Sequence, residues 1–68
     1  MKTIWIAVAN TPEYGRVYLP NYASIDRAGV GMSILDKARS EGFSGSLDER
    51  LDQLGWEIVR VSLQEVSP

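Results

Sequence analysis

The side chains able to do chemistry in this sequence are hydroxyls, carboxylates and two lysines, because it contains no histidine and no cysteine. General acid–base catalysis near neutral pH most often uses histidine. Ser–His and Cys–His nucleophile pairs cannot be built here. The serines at 24, 33, 40, 44, 46, 62 and 67 have no base partner, and neither lysine forms a motif with any of them. Their expected roles are caps, turns and surface. Gly29-Val30-Gly31 lacks the Gly-x-Gly-x-x-Gly spacing behind a strand that cradles a phosphate. Asp48, Glu49 and Asp52 fall close on one helix, but no second oxygen-rich segment completes a calcium or magnesium site. A paired-carboxylate hydrolase needs a larger cleft than 68 residues enclose. The expectation is no enzyme, no cofactor and no metal.

Length and charge narrow the remaining classes. A chain of 68 residues is one domain, residues 1–68, and buries only about 60% of the surface its unfolded form exposes. Domains this small often rely on disulfides, a metal or a partner subunit. Without cysteine or histidine, a second subunit or a foreign protein is the staple left open. Residues 1–34 carry three basic and two acidic groups, and residues 35–68 four basic and seven acidic ones. That balance has no basic stripe and argues against a nucleic-acid partner. The acidic second half suits a solvated helix face, or a surface aimed at a basic partner. No apolar run approaches the ~20 residues of a membrane span. The opening Met1-Lys2-Thr3-Ile4-Trp5 lacks the apolar core of an export signal. The expected setting is the cytoplasm, with no membrane contact.

The elements follow from hydrophobic spacing. Residues 3–9 place Ile4, Ile6 and Val8 on one face and Trp5, Ala7 and Ala9 on the other, as a central strand does. Asn10 to Gly15 supplies turn residues. Arg16-Val17-Tyr18-Leu19 forms a second strand, which Pro20 is expected to stop. Ser24 can cap a helix whose apolar and small face reads Ile25, Ala28, Met32, Leu35 and Ala38 or Arg39. Asp26 near its start and Lys37 and Arg39 near its end match the helix dipole. Gly42 is the expected stop, with Phe43 folding back. Gly29 and Gly31 either lie inside this helix, letting it approach the sheet, or precede it. Ser46-Leu47-Asp48-Glu49 has capping-box spacing and predicts a short helix from Leu47 to about Leu54, closed by Gly55. A third strand runs from Trp56 to Leu63 or beyond, and the last residues, through Ser67-Pro68, are expected to fray.

These elements predict an α+β fold of topology ββααβ. It has a three-stranded antiparallel sheet in order 2-1-3, with one longer and one short helix on one face. The helices are expected to cover Ile4, Ile6, Val8, Val17, Leu19, Val59, Val61 and Leu63. Trp5, Ala7, Arg16, Tyr18, Ile58 and Arg60 would remain on the opposite face. Tryptophan, tyrosine and arginine are enriched at binding hot spots. Trp5, Tyr18, Ile58 and Arg60, with Arg16, are therefore the candidate interaction residues, unless the arginines merely shield the rings. The hairpin tip adds Tyr14 and Glu13, although such a tyrosine also suits packing on its own hairpin. The same face would suit bases stacked on Trp5 and Tyr18, or a twofold interface.

The run Leu51-Asp52-Gln53-Leu54-Gly55-Trp56-Glu57-Ile58-Val59 resembles the closing segment of small uncharacterised bacterial and phage domains. Those end in a leucine-rich helix, a glycine, Trp-Glu and a strand. In size and acidity the chain also resembles phage-encoded inhibitors of bacterial defence systems, such as anti-CRISPR proteins. That resemblance implies a non-catalytic inhibitor or accessory subunit that binds a larger protein complex.

Overall fold

A computed structural model describes residues 2–64. Its elements are β1 (Lys2–Thr11), β2 (Gly15–Ser24), α1 (Arg27–Ser40), α2 (Leu47–Leu54) and β3 (Trp56–Leu63). The sheet order is β2-β1-β3, and β1 is antiparallel to both neighbours. The fold is the expected α+β arrangement, with β1 in the middle because it is apolar on both faces. The expected fraying at Ser67 and Pro68 lies outside the described residues.

The hairpin is closed by side chain as well as backbone. Thr11 Oγ1 accepts from the Tyr14 amide at 3.0 Å and donates to the Gly15 carbonyl at 3.1 Å. β2 does not end at Pro20. Its register jumps from Ala7↔Leu19 to Ile6↔Ala23, so Pro20, Asn21 and Tyr22 bulge out of the ladder. Proline is tolerated there because an edge-strand bulge needs no ladder donor. The bulge frees Tyr22 to turn towards the helices, where its ring lies 5.4 Å from that of Trp56.

α1 begins two residues later than its expected start, and Ser24 is not its cap. Asp26 is the N-cap, and its Oδ1 accepts from the Gly29 amide at 2.7 Å. Both Gly29 and Gly31 are inside the helix. Gly31 does not serve the sheet. A Cβ there would lie 2.7 Å from Leu47 Cδ2, so this glycine lets α2 approach α1. The buried stripe of α1 is Val30, Gly31, Ile34 and Ala38, while Ile25, Ala28 and Met32 are exposed. Both sets have helical spacing, so the apolar residues of α1 extend beyond the stripe that it buries. The helix ends as expected. The Phe43 amide donates to the Ala38 carbonyl and the Gly42 amide to the Arg39 carbonyl, both at 3.0 Å.

α2 has the predicted boundaries. Ser46 Oγ accepts from the Glu49 amide at 3.2 Å, and Gly55 takes a left-handed φ of 70° at the C-cap. Asn10 ties this stop to the hairpin: its backbone amide and side-chain Nδ2 both donate to the Gly55 carbonyl, at 3.1 and 3.2 Å. β3 therefore starts at a fixed height beside β1.

Ala7, Val30, Ile34 and Leu51 form the buried cluster, with Trp5, Leu19, Tyr22, Leu47, Trp56 and Ile58 packed around it. Burying side chains such as Ile34 and Leu51 contributes about 1.5–3 kcal/mol each. The helices thus cover the Trp5/Ala7/Ile58 side of the sheet. This inverts the expectation for β1 and β3, although Val17 and Leu19 on β2 face the helices as expected. The cause is side-chain size. A helix axis comes closest over the central strand, and there Ala7 and Ala9 leave room that Ile6 and Val8 would fill.

Candidate interaction surface

Residues directly opposite one another in a ladder share a face of the sheet. Ile4 pairs with Val61, Ile6 with Val59, and Val8 with both Tyr18 and Glu57. All lie on the side turned away from the helices. This side is aliphatic along its length. Val8 and Ile6 are nearly solvent-free at 0% and 8%, Ile4, Val59 and Val61 are half-buried, and Leu63 and Tyr18 stand out at 44% and 52% exposed.

Val8 is buried although no helix covers it. Tyr18 and Glu57 flank it, and Arg16 pairs with Glu57 from the opposite edge strand. This ion pair closes one end of the face. The register places Lys2, opposite Leu63, at the other end. Among the described residues paired in the ladder, the side chains between them are aliphatic apart from the Tyr18 ring. An uncovered apolar patch of this kind usually marks a site of association.

The candidate residues chosen from sequence divide into three places. Trp5 and Ile58 pack into the helix-covered side. Arg60 joins them there, its guanidinium carbon 5.9 Å from the Trp5 ring centroid. Arg16 and Tyr18 lie on the open side. Tyr14, 78% exposed, and Glu13 project at the hairpin tip, apart from both groups. Tyr14 does not pack back on its own hairpin. Trp5 and Tyr18 sit on opposite faces, so they build no common stacking platform. Sequence reasoning missed that Ile4, Ile6, Val59, Val61 and Leu63 lie on the side without helices, where Ile6 is buried and Leu63 is exposed. The signal was the contrast between these large side chains and the alanines at 7 and 9.

Two concavities lie elsewhere. A recess of about 220 Å³ opens between Tyr22, Ile34, Leu54 and Trp56, rimmed by Lys37, Glu41 and Arg50. That is smaller than the ~300–1,000 Å³ typical of ligand sites. Arg50 is already engaged: Nη2 donates to Glu41 Oε2 at 3.1 Å, Nη1 to Gln53 Oε1 at 3.0 Å, and the guanidinium lies over Phe43. A shallower depression is lined by Asp48, Glu49, Leu51, Asp52 and Trp56. Among the described residues no three acidic side chains gather closely enough to hold a metal ion. Serine hydroxyls bond locally to backbone; Ser33 donates to the Gly29 carbonyl at 3.1 Å within α1, and Ser40 to the Lys37 carbonyl at 2.6 Å at its end. Among the described residues no helix is long and apolar enough to cross a membrane.

Compared with known proteins, the chain matches no family model, no curated protein and no solved structure.

Proposed function

We propose that this chain is a non-catalytic protein-interaction module that meets other protein chains through its uncovered sheet face. The observation that carries this reading is the placement of Ile4, Ile6, Val59, Val61 and Leu63 on the side without helices. A sheet face of large aliphatic side chains is stable in water only when the gain elsewhere outweighs its exposure. Covering it removes roughly 25 cal/mol of unfavourable hydration per Å² of apolar surface. The absence of histidine and cysteine supports a role without chemistry. Size and acidity fit a cytoplasmic inhibitor or accessory subunit acting on a larger complex, of the kind that phages and mobile elements encode.

Photo-crosslinking in the native host tests the surface. A benzophenone amino acid at Val61 should give covalent protein adducts, and the same group at Asp36, on the exposed side of α1, should give none. Adducts at Asp36 and none at Val61 would contradict the reading.

A further inference from the structure

We infer that the outer edge of β3 accepts an extended segment of another protein as a fourth strand, and that this guest places a lysine or arginine beside Trp56. The inference concerns an edge of the sheet and stands apart from the reading of the open face.

The two edges of the sheet differ. The ladder between β1 and β2 shifts between Ile6 and Ala7, and Pro20 lies in the bulge. A bulge and a proline are devices that keep an edge strand from pairing with another chain. β3 has neither. Its 8 residues pair with β1 in one register, from Lys2↔Leu63 to Ala9↔Trp56. In an antiparallel ladder every second residue of an edge strand turns its amide and carbonyl outward. Among the described residues no strand lies beyond β3, and no loop backbone bonds to it. Arg60, Ser62 and Leu63 are exposed, so this edge is open to solvent. An extended guest satisfies such backbone groups directly when it adds to a sheet.

The side chains beside the edge choose the guest. α2 packs against β3 and α1. Arg50 turns towards α1, where it bonds to Glu41. Asp48 and Asp52 stand two positions to either side of Arg50, and at 3.6 residues per turn they point the other way. With Glu49 they line the depression around Leu51 and Trp56, on the flank of α2 turned from α1 and against the first residue of the edge strand. Neither Asp48 nor Asp52 has an ion-pair partner among the described residues. A strand laid along β3 sends alternate side chains to the two faces of the sheet. On the helix side, the one beside Trp56 enters this depression. There the carboxylates attract a cation, and the indole ring accepts its charge and its aliphatic stem. On the other side the guest lies beside Val59 and Val61, which suit a β-branched residue. The outward backbone groups hold the guest, and the carboxylates select its sequence.

Calorimetric titration of the purified full chain tests this with a blocked synthetic peptide of about eight residues that alternates valine and lysine. The peptide should bind, and amide exchange should slow at alternate residues of β3. Its backbone N-methylated form keeps the charge but donates no backbone hydrogen bond, and should bind at least about tenfold more weakly. A peptide alternating valine and glutamate should lose about as much. Joint replacement Asp48→Asn and Asp52→Asn, both at exposed positions, should weaken the lysine peptide about tenfold at low salt. Ile4→Ser, on the open face, should leave its binding unchanged. No binding overturns the inference. Equal binding of the N-methylated peptide overturns it too, because charge alone then suffices. Protection at β2 instead of β3, or loss of binding in Ile4→Ser, would put the peptide elsewhere and refute the edge. Equal affinity for the glutamate peptide would refute the basic guest.

Discussion

Arg16 and Glu57 belong to two edge strands that never touch, yet their side chains meet across β1 between Val8 and Asn10. The pair spans the sheet on the side without helices. It accounts for a valine that is fully buried under no secondary structure. Both side chains remain about half exposed, 51% and 43%, so water and salt screen the attraction. Glu57→Gln should therefore cost under ~1 kcal/mol in urea unfolding. The loss should shrink as salt rises, and the exchanged pair Arg16→Glu with Glu57→Arg should recover most of it. A loss well above that, insensitive to salt, would show that the carboxylate acts by more than this pair.

The two faces of β1 predict opposite responses to size. Ala7 is 0% exposed beneath Val30 and Ile34. Ala7→Leu should destabilise the chain by about 1–3 kcal/mol or more through overpacking. Ile4→Ser, on the open face, should instead act mainly on association with another protein. Thermal unfolding of the purified chain reports the first effect, and crosslinking at Val61 in the host the second.

The caps carry measurable stability. Ser46→Ala removes the acceptor for the Glu49 amide and should cost about 1 kcal/mol. Asp26→Ala should cost a similar amount through the Gly29 amide. Hydrogen exchange should report each loss in the first turn of its own helix, with faster exchange at Glu49 or Gly29.

The junction between α2 and β3 gives a further prediction. Gly55→Ala forces an L side chain into a left-handed φ of 70° and should cost about 1–2 kcal/mol. Asn10→Ala should cost less, about 0.5–1.5 kcal/mol, because the backbone amide still donates to the Gly55 carbonyl. Equilibrium urea unfolding checks both, and an Asn10→Ala loss exceeding that of Gly55→Ala would contradict this ranking.

Local chemistry made much of the fold readable from the residues. Ser46 with Glu49, Gly42 with Phe43, and Gly55 each declare a helix end through their own backbone requirements. The strand order followed from a first strand that is apolar on both sides. That same property hid the candidate surface. Alternation in Ile4, Trp5, Ile6, Ala7, Val8 and Ala9 shows two faces but not which one a helix covers, and a wrong choice moves every side chain across the sheet. α1 posed the equivalent problem, because Ile25, Ala28 and Met32 match a helical stripe as well as Val30, Ile34 and Ala38 do. Size would have decided the sheet. A close-packed helix sits over Ala7 and Ala9, which leaves Ile4, Ile6 and Val8 outside. Pro20 misled for a different reason: a proline ends a regular ladder, but it can be carried in an edge bulge.

Cysteine footprinting in the cell tests the central claim most directly, since the chain has no cysteine of its own. Leu63→Cys and Asp36→Cys place a thiol at exposed positions on opposite sides of the molecule. If the sheet face is covered in its working state, a maleimide should label position 63 about tenfold more slowly than position 36, and denaturation should abolish the difference. Equal labelling of the two positions in the native protein would contradict the claim.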